Sequence, residues 1–72
     1  MEEKLINIIS EQTDVPREEV TLDSSLVELG IDSMSMVVLV SVIEASFNVK
    51  LNTAKIANVY TVGDLIPLLK HE

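Results

Sequence analysis

The sequence predicts an all-α fold: a four-helix bundle with a short third helix and a long loop between the first and second helices. Three observations point there. Apolar residues recur at helical spacing in the longer segments. The breakers Pro16, Gly30 and Asn48 fall between those segments rather than inside them. The chain also lacks cysteine and has one Phe and one Tyr, so its 47% hydrophobic fraction must pack as Leu, Ile, Val and Met. Small scaffolds without disulfide or metal staples rely on efficient helix packing. At 72 residues the chain is read as a single domain spanning 1–72, near the lower limit for a self-supporting core.

The first helix runs from Glu2 to about Thr13, with Leu5, Ile8 and Ile9 on one side and Gln12 at the end of that side. Asp14-Val15-Pro16 stops it, because the residue before a proline is pushed out of the α region. From Arg17 to Gly30 the pattern is irregular. Val20, Leu22, Leu26 and Leu29 offer buried anchors, and Thr21, Asp23, Ser24 and Ser25 form turns. This reads as a long ordered loop with a short helical turn near Leu26. The second helix follows from about Ser33 to Phe47, closed by Asn48-Val49-Lys50. A short third helix from Thr53 to Asn58 would be capped by Asn52 or Thr53. The fourth opens at Thr61-Val62-Gly63-Asp64, a Thr-x-x-acid pattern related to a capping box, and Pro67 should make it short or irregular.

The formal net charge of −7 argues against nucleic-acid backbones as partners. Residues 1–32 carry nine acids and two bases, whereas residues 33–72 carry three of each. The first half is thus an acidic surface that steers towards basic partners. The start is acidic, with no long apolar stretch after it, and the apolar run around Met36 to Ile43 is too short to span a bilayer. The expected setting is cytoplasmic, with no membrane span and a monomeric state. An enzyme is disfavoured: one His and no Cys supply neither a nucleophile–base pair nor a metal-ligand cluster.

At about 100° per residue, Met36, Val40, Ile43 and Phe47 share one narrow face of the second helix, with Leu39 beside it. That is the expected core seam. The opposite face is not polar. Met34, Val38 and Val42 run along it at i, i+4 and i+8, accompanied by Ser41 and Ala45. Either this helix is buried on two sides, with another segment covering Val42 and Ala45, or the stripe meets a partner.

Asp32 and Ser33 both suit a helix start. With Asp32 as N-cap, Ser33 is the first helical residue, and its hydroxyl is free at the end of a helix that favours a phosphate. Asp-Ser before a helix is also commonly no more than a cap. Here Leu29-Gly30-Ile31-Asp32-Ser33-Met34 resembles the leucine-glycine-x-aspartate-serine-leucine signature of the acyl carrier proteins and the related peptidyl carrier (thiolation) domains. The resemblance covers essentially the whole chain. The acidic first helix, Leu26 before the motif, Phe47 closing the second helix and Thr61-Val62 opening the last all fall at the family's spacing.

The resemblance implies a four-helix bundle whose motif serine, Ser33, receives 4'-phosphopantetheine from coenzyme A. The arm's terminal thiol carries acyl groups as thioesters, so the missing cysteine is replaced by an imported thiol. It implies as partners a phosphopantetheinyl transferase, usually working with Mg2+, and acyl-loading and acyl-processing enzymes (ligase or synthase). Asp32 would help the transferase position its metal. Partner recognition would fall on Asp32, Met34, Val38, Val42 and Glu44. Two departures stand out. Met34 replaces the family's leucine, a volume-conserving change. On the second helix, the acids typical of dissociated fatty-acid synthesis give way to Ser35, Val38, Ala45 and Ser46, leaving Glu44 alone. That points to a dedicated carrier in a polyketide, nonribosomal-peptide or specialised acyl pathway.

Of the remaining residues, Ser35 is the runner-up for modification. Asp64 is read as serving the fourth helix's start, and His71 as a chain-end residue. The rivals to a modified acyl carrier are an unmodified, carrier-like module that binds a partner through the apolar stripe, and a peptidyl (aminoacyl) carrier.

Overall fold

The computed structural model describes residues 2–51 and 53–69. It is helical, with no strand among the described residues. Helix α1 spans Glu2–Thr13, α2 Ser33–Phe47, α3 Thr53–Ile56 and α4 Ile66–Leu69. Two 3-10 turns, Arg17–Glu19 and Val62–Leu65, complete the secondary structure. The third helix is thus shorter than the expected Thr53 to Asn58. Its proposed caps, Asn52 and the Thr53 side chain, lie outside the described residues, as does His71. Among the described residues no helix is long and apolar enough to cross a membrane.

Helix α1 buries Leu5, Ile8 and Ile9, while Gln12 is exposed one turn beyond them. It ends where Asp14 turns into the left-handed region at φ 62° and donates its N–H to the Ser10 carbonyl at 2.9 Å. The Ser10 hydroxyl in turn donates to the Val15 carbonyl at 2.6 Å. The Asp14 N–H thereby takes up one carbonyl that the helix end would leave unpaired, and the Ser10 hydroxyl ties the chain that follows back to the helix.

The connection to α2 is long but held throughout. Pro16 pre-sets the backbone for the 3-10 turn Arg17–Glu19, which the sequence reading did not anticipate. The Arg17 guanidinium donates to Asn7 Oδ1 on α1. Val20 and Leu26 are buried, and Leu22 and Leu29 are half-buried against the core. An isolated antiparallel bridge pairs Ser25 with Thr61. Around it Leu26 N–H donates to Tyr60 O at 2.9 Å, Val62 N–H to Ser24 O at 3.1 Å and Gly63 N–H to Leu22 O at 2.8 Å. This close approach explains the glycine: a Cβ at Gly63 would come within 3.0 Å of the Leu22 carbonyl oxygen. The segment before α2 and the start of the last helical segment are therefore one unit.

The core gathers Leu5, Ile9, Leu26, Leu39, Ile43, Val62 and Leu65, all fully buried. On α2 this corrects the expected seam. Leu39 and Ile43 are its centre, while Met36 and Phe47 pack half-buried on its flank and Val40 is half-buried beside them. The helix is rotated so that Leu39, not Val40, faces α1 and the loop anchors. The outer stripe rotates with it. Met34 is 81% exposed, Val37 67% and Val38 54%, whereas Val42 is half-buried and packed against the core. Val42 lies about 80° around the helix from Met34, which places it at the border rather than on the outer face. Val37 takes its place in the stripe.

The far ends of α1 and α2 are clamped. Lys4 Nζ donates to the Ser46 carbonyl at 2.6 Å and sits 4.9 Å from the centre of the Phe47 ring. A cation at a helix C-terminus and over an aromatic face is favourable on both counts.

Candidate functional site

Two buried side chains hold the turn that leads into α2. Leu26 and Ile31 lie in the core and are joined by a bond from Ile31 N–H to Leu26 O at 3.0 Å. Between them Gly30 N–H donates to Val27 O at 2.9 Å, and Gly30 adopts φ 92°, where an L side chain is strained. A Cβ there would meet nothing within 4 Å, so the constraint is conformational and not steric. The turn then releases Asp32 in an extended conformation (φ −101°, ψ −168°), the geometry of a cap.

Asp32 caps α2 by accepting the Ser35 N–H on Oδ1 at 2.8 Å. That bond, followed by one from the Ser35 hydroxyl, holds its carboxyl below the usual aspartate value. Asp32 is fully exposed and ionised near neutrality, with lone pairs left for a further partner. Ser33 is the first helical residue and is exposed. Because the cap is a neighbouring carboxylate, the Ser33 hydroxyl has no hydrogen-bond partner among the described residues. Ser35, the runner-up, is also exposed, and its backbone N–H is the one that Asp32 accepts.

Ser33 lies at one end of an open groove of about 950 Å³. One wall is α2, through Met36, Val37 and Val40; the other is built by Ile56 and Val59. Glu44 and Leu51 also line it. Glu44 is half-buried, and its Oε2 accepts the Leu51 N–H at 2.8 Å. The sequence-predicted residues therefore separate into groups. Asp32, Ser33, Met34 and Val38 share an exposed surface at the start of α2. Val42 packs against the core, and Glu44 ties down the chain that leaves α2. Sequence reasoning missed Val37, although its i+3 spacing from Met34 would have shown it, and missed the opposite wall, for which the sequence holds no signal.

The last helical segment also starts with an acid and a hydroxyl. Thr61 Oγ1 accepts the Asp64 N–H at 3.3 Å, and Asp64 Oδ2 accepts the N–H groups of Thr61 at 3.0 Å and Tyr60 at 2.9 Å. This is a full capping box, as the Thr-x-x-acid pattern implied. The two backbone donors pull the Asp64 carboxyl below its usual value.

Among the described residues no group of three or more His, Cys, Asp or Glu side chains could hold a metal ion. What this end of α2 offers is a partnerless hydroxyl with open space around it and an apolar groove alongside. Such a donor set suits a covalently attached, flexible arm.

Comparison with known proteins agrees. The family described as phosphopantetheine attachment site matches residues 3–69. The chain is 37% identical over 68 residues to an acyl carrier protein of Thermotoga maritima, covering 93% of this chain and 84% of that one. It is 38% identical over 63 residues to an acyl carrier protein of Beutenbergia cavernae, covering 86% and 77%. With an acyl carrier protein of Syntrophus aciditrophicus it shares 34% identity over 71 residues, covering 97% and 89%. The chain belongs to the phosphopantetheine-attachment family, and within it to the acyl carrier proteins: it bears a prosthetic arm and is a carrier, not an enzyme.

Proposed function

We propose that the Ser33 hydroxyl is the attachment point and that the chain carries acyl groups between the enzymes of a specialised acyl or polyketide pathway. One observation carries this reading: Ser33 is exposed at the first turn of α2 with its hydroxyl unspent, because Asp32 has taken the cap. When bound, phosphopantetheine supplies a terminal thiol that holds the acyl group as a thioester. The protein positions it. Asp32 accepts one N–H at the positive end of α2, and that helix end still favours the phosphodiester Ser33 would carry. An acyl chain brought back to the protein finds the apolar walls of the groove at hand.

The transferase and the acyl-loading and acyl-processing enzymes would meet the exposed start of α2. Asp32, through its free lone pairs, serves the transferase's metal. Met34 and Val38, joined by Val37, form the apolar contact. Val42 and Glu44 support it from the border, where both are half-buried. The same reading takes residues 1–72 as a single domain and the architecture as a four-helix bundle with a short third helix and a long first loop. It works as a cytoplasmic monomer whose stripe stays open to successive enzymes.

The test is intact mass after incubation with coenzyme A, Mg2+ and a broad-specificity phosphopantetheinyl transferase. Wild type should gain the mass of one phosphopantetheine and Ser33→Ala should gain none. An unchanged wild-type mass, or modification of the Ser33→Ala chain, overturns the reading.

A further inference from the structure

The groove beside Ser33 is lined by the apolar Met36, Val37, Val40 and Val59, with Ser41, Tyr60 and Glu44 among its polar residues. Glu44 is eleven residues further along α2, which is about 16 Å away. Eleven residues are also close to three whole turns, so Ser33 and Glu44 fall on the same side of the helix. A chain that leaves Ser33 and folds back along the groove therefore runs towards Glu44. Glu44 is not a loosely waving surface acid. It is half-buried, and its Oε2 is engaged by the Leu51 N–H at 2.8 Å. To swing away it would have to abandon that donor in a half-buried place. Among the described lining residues the charged ones are Asp32 and Glu44, both negative.

We propose that Glu44 is a specificity-determining residue, selecting cargo whose far end is uncharged and turning away acyl groups that end in a carboxylate. The proposal rests on attachment at Ser33. An alkyl chain gains by leaving water for the Met36, Val37, Val40 and Val59 walls. A carboxylate-ended chain of the same length must shed hydration along those walls. On arrival it faces a second fixed negative charge, and two carboxylates in one site cannot both stay ionised without penalty. Such cargo stays outside in water. The lone acid on α2, in this view, reads the load as well as bordering the partner face. Its carboxylate, held by Leu51, is a fixed feature of the groove wall.

The experiment uses the full chain loaded by the transferase directly from acyl-coenzyme A thioesters of one length, ending in a methyl group, a carboxylate or the methyl ester of that carboxylate. Mass spectrometry first establishes loading on Ser33, and a failure at that step belongs to the attachment reading alone. The melting temperature of each loaded form is then compared with that of the arm-only form. For wild type, the methyl and ester ends should raise it by about 4 °C or more, and the carboxylate end should leave it unchanged. Glu44→Gln keeps an acceptor for Leu51 and removes the charge, so it should give the carboxylate end a rise, smaller than that of the methyl end because the walls still cost hydration. Glu44→Ala should do the same at a lower baseline, should the glutamine variant fold poorly. Equal responses of wild type to the three cargoes, including no response to any, overturn the proposal. So does a carboxylate end that still gives no rise in the Glu44 variants.

Discussion

The structure contains two helical starts made from the same ingredients in opposite order. At Thr61 the hydroxyl caps and the acid three residues on reaches back, so both side chains are consumed. At Asp32 the acid caps and the hydroxyl comes next, one residue inside the helix, where it has nothing to do. The first arrangement closes a helix end and the second leaves a reactive group standing on one. Both ends rest on one support, since the Ser25–Thr61 bridge joins the segment before α2 to the last helical segment. What distinguishes a structural terminus from a functional one here is which residue holds the N–H groups. The presence of Ser, Thr or Asp alone does not decide it.

Removing the shared support should have the largest effect. Leu26 is buried between the two starts, so Leu26→Ala should cost about 3 kcal/mol in denaturant unfolding and disturb both ends together. A loss below about 1 kcal/mol would break the idea of a common base. Next comes the direct comparison of hydroxyls. Thr61→Ala should lower stability by about 1 kcal/mol, while Ser33→Ala should stay within about 0.5 kcal/mol of wild type and abolish modification. Equal losses would mean that Ser33 caps after all.

The smallest effect concerns acid. Both Asp32 and Asp64 are held below the usual value of 3.8 in the folded chain. Each therefore stabilises the fold above that pH, and the contribution disappears as pH falls through the lowered folded values. Melting temperature should be flat near neutrality and fall below pH about 4. Asp32→Asn and Asp64→Asn should each shallow that fall, because asparagine still caps but does not titrate. An unaltered acid slope in both variants would show that the caps do not set it.

The bounds of α1 and α2, the Asp32 cap and the Thr61 box were legible because each depends on local chemistry within a few residues. The rotation of α2 was not. Met36, Val40 and Leu39 are equally apolar, and only packing against α1 and the loop anchors chooses Leu39 and Ile43 for the centre. For the same reason Val42 lies at the border and Val37 on the exposed side. The turn at Arg17–Glu19 was hidden because its residues are charged and exposed, and it shows only in carbonyl partners such as Pro16 O with Glu19 N–H at 2.8 Å. Ser33 was legible as a candidate by its place in the motif. The groove was not, since its opposite wall comes from residues more than twenty positions away. Glu44 stood out in the sequence as the lone acid of α2, but its bond to the Leu51 N–H, seven residues on, did not.

The clamp of Lys4 on Ser46 and Phe47 has a practical reach. Ser46 lies thirteen residues beyond Ser33 on one straight helix, about 20 Å from it. Lys4 thus fastens the first turn of α1 to the pole opposite the hydroxyl. A dye, surface linker or fused enzyme grafted ahead of Lys4 would sit at the back of the molecule, leaving the serine pole open for immobilised capture of its enzymes.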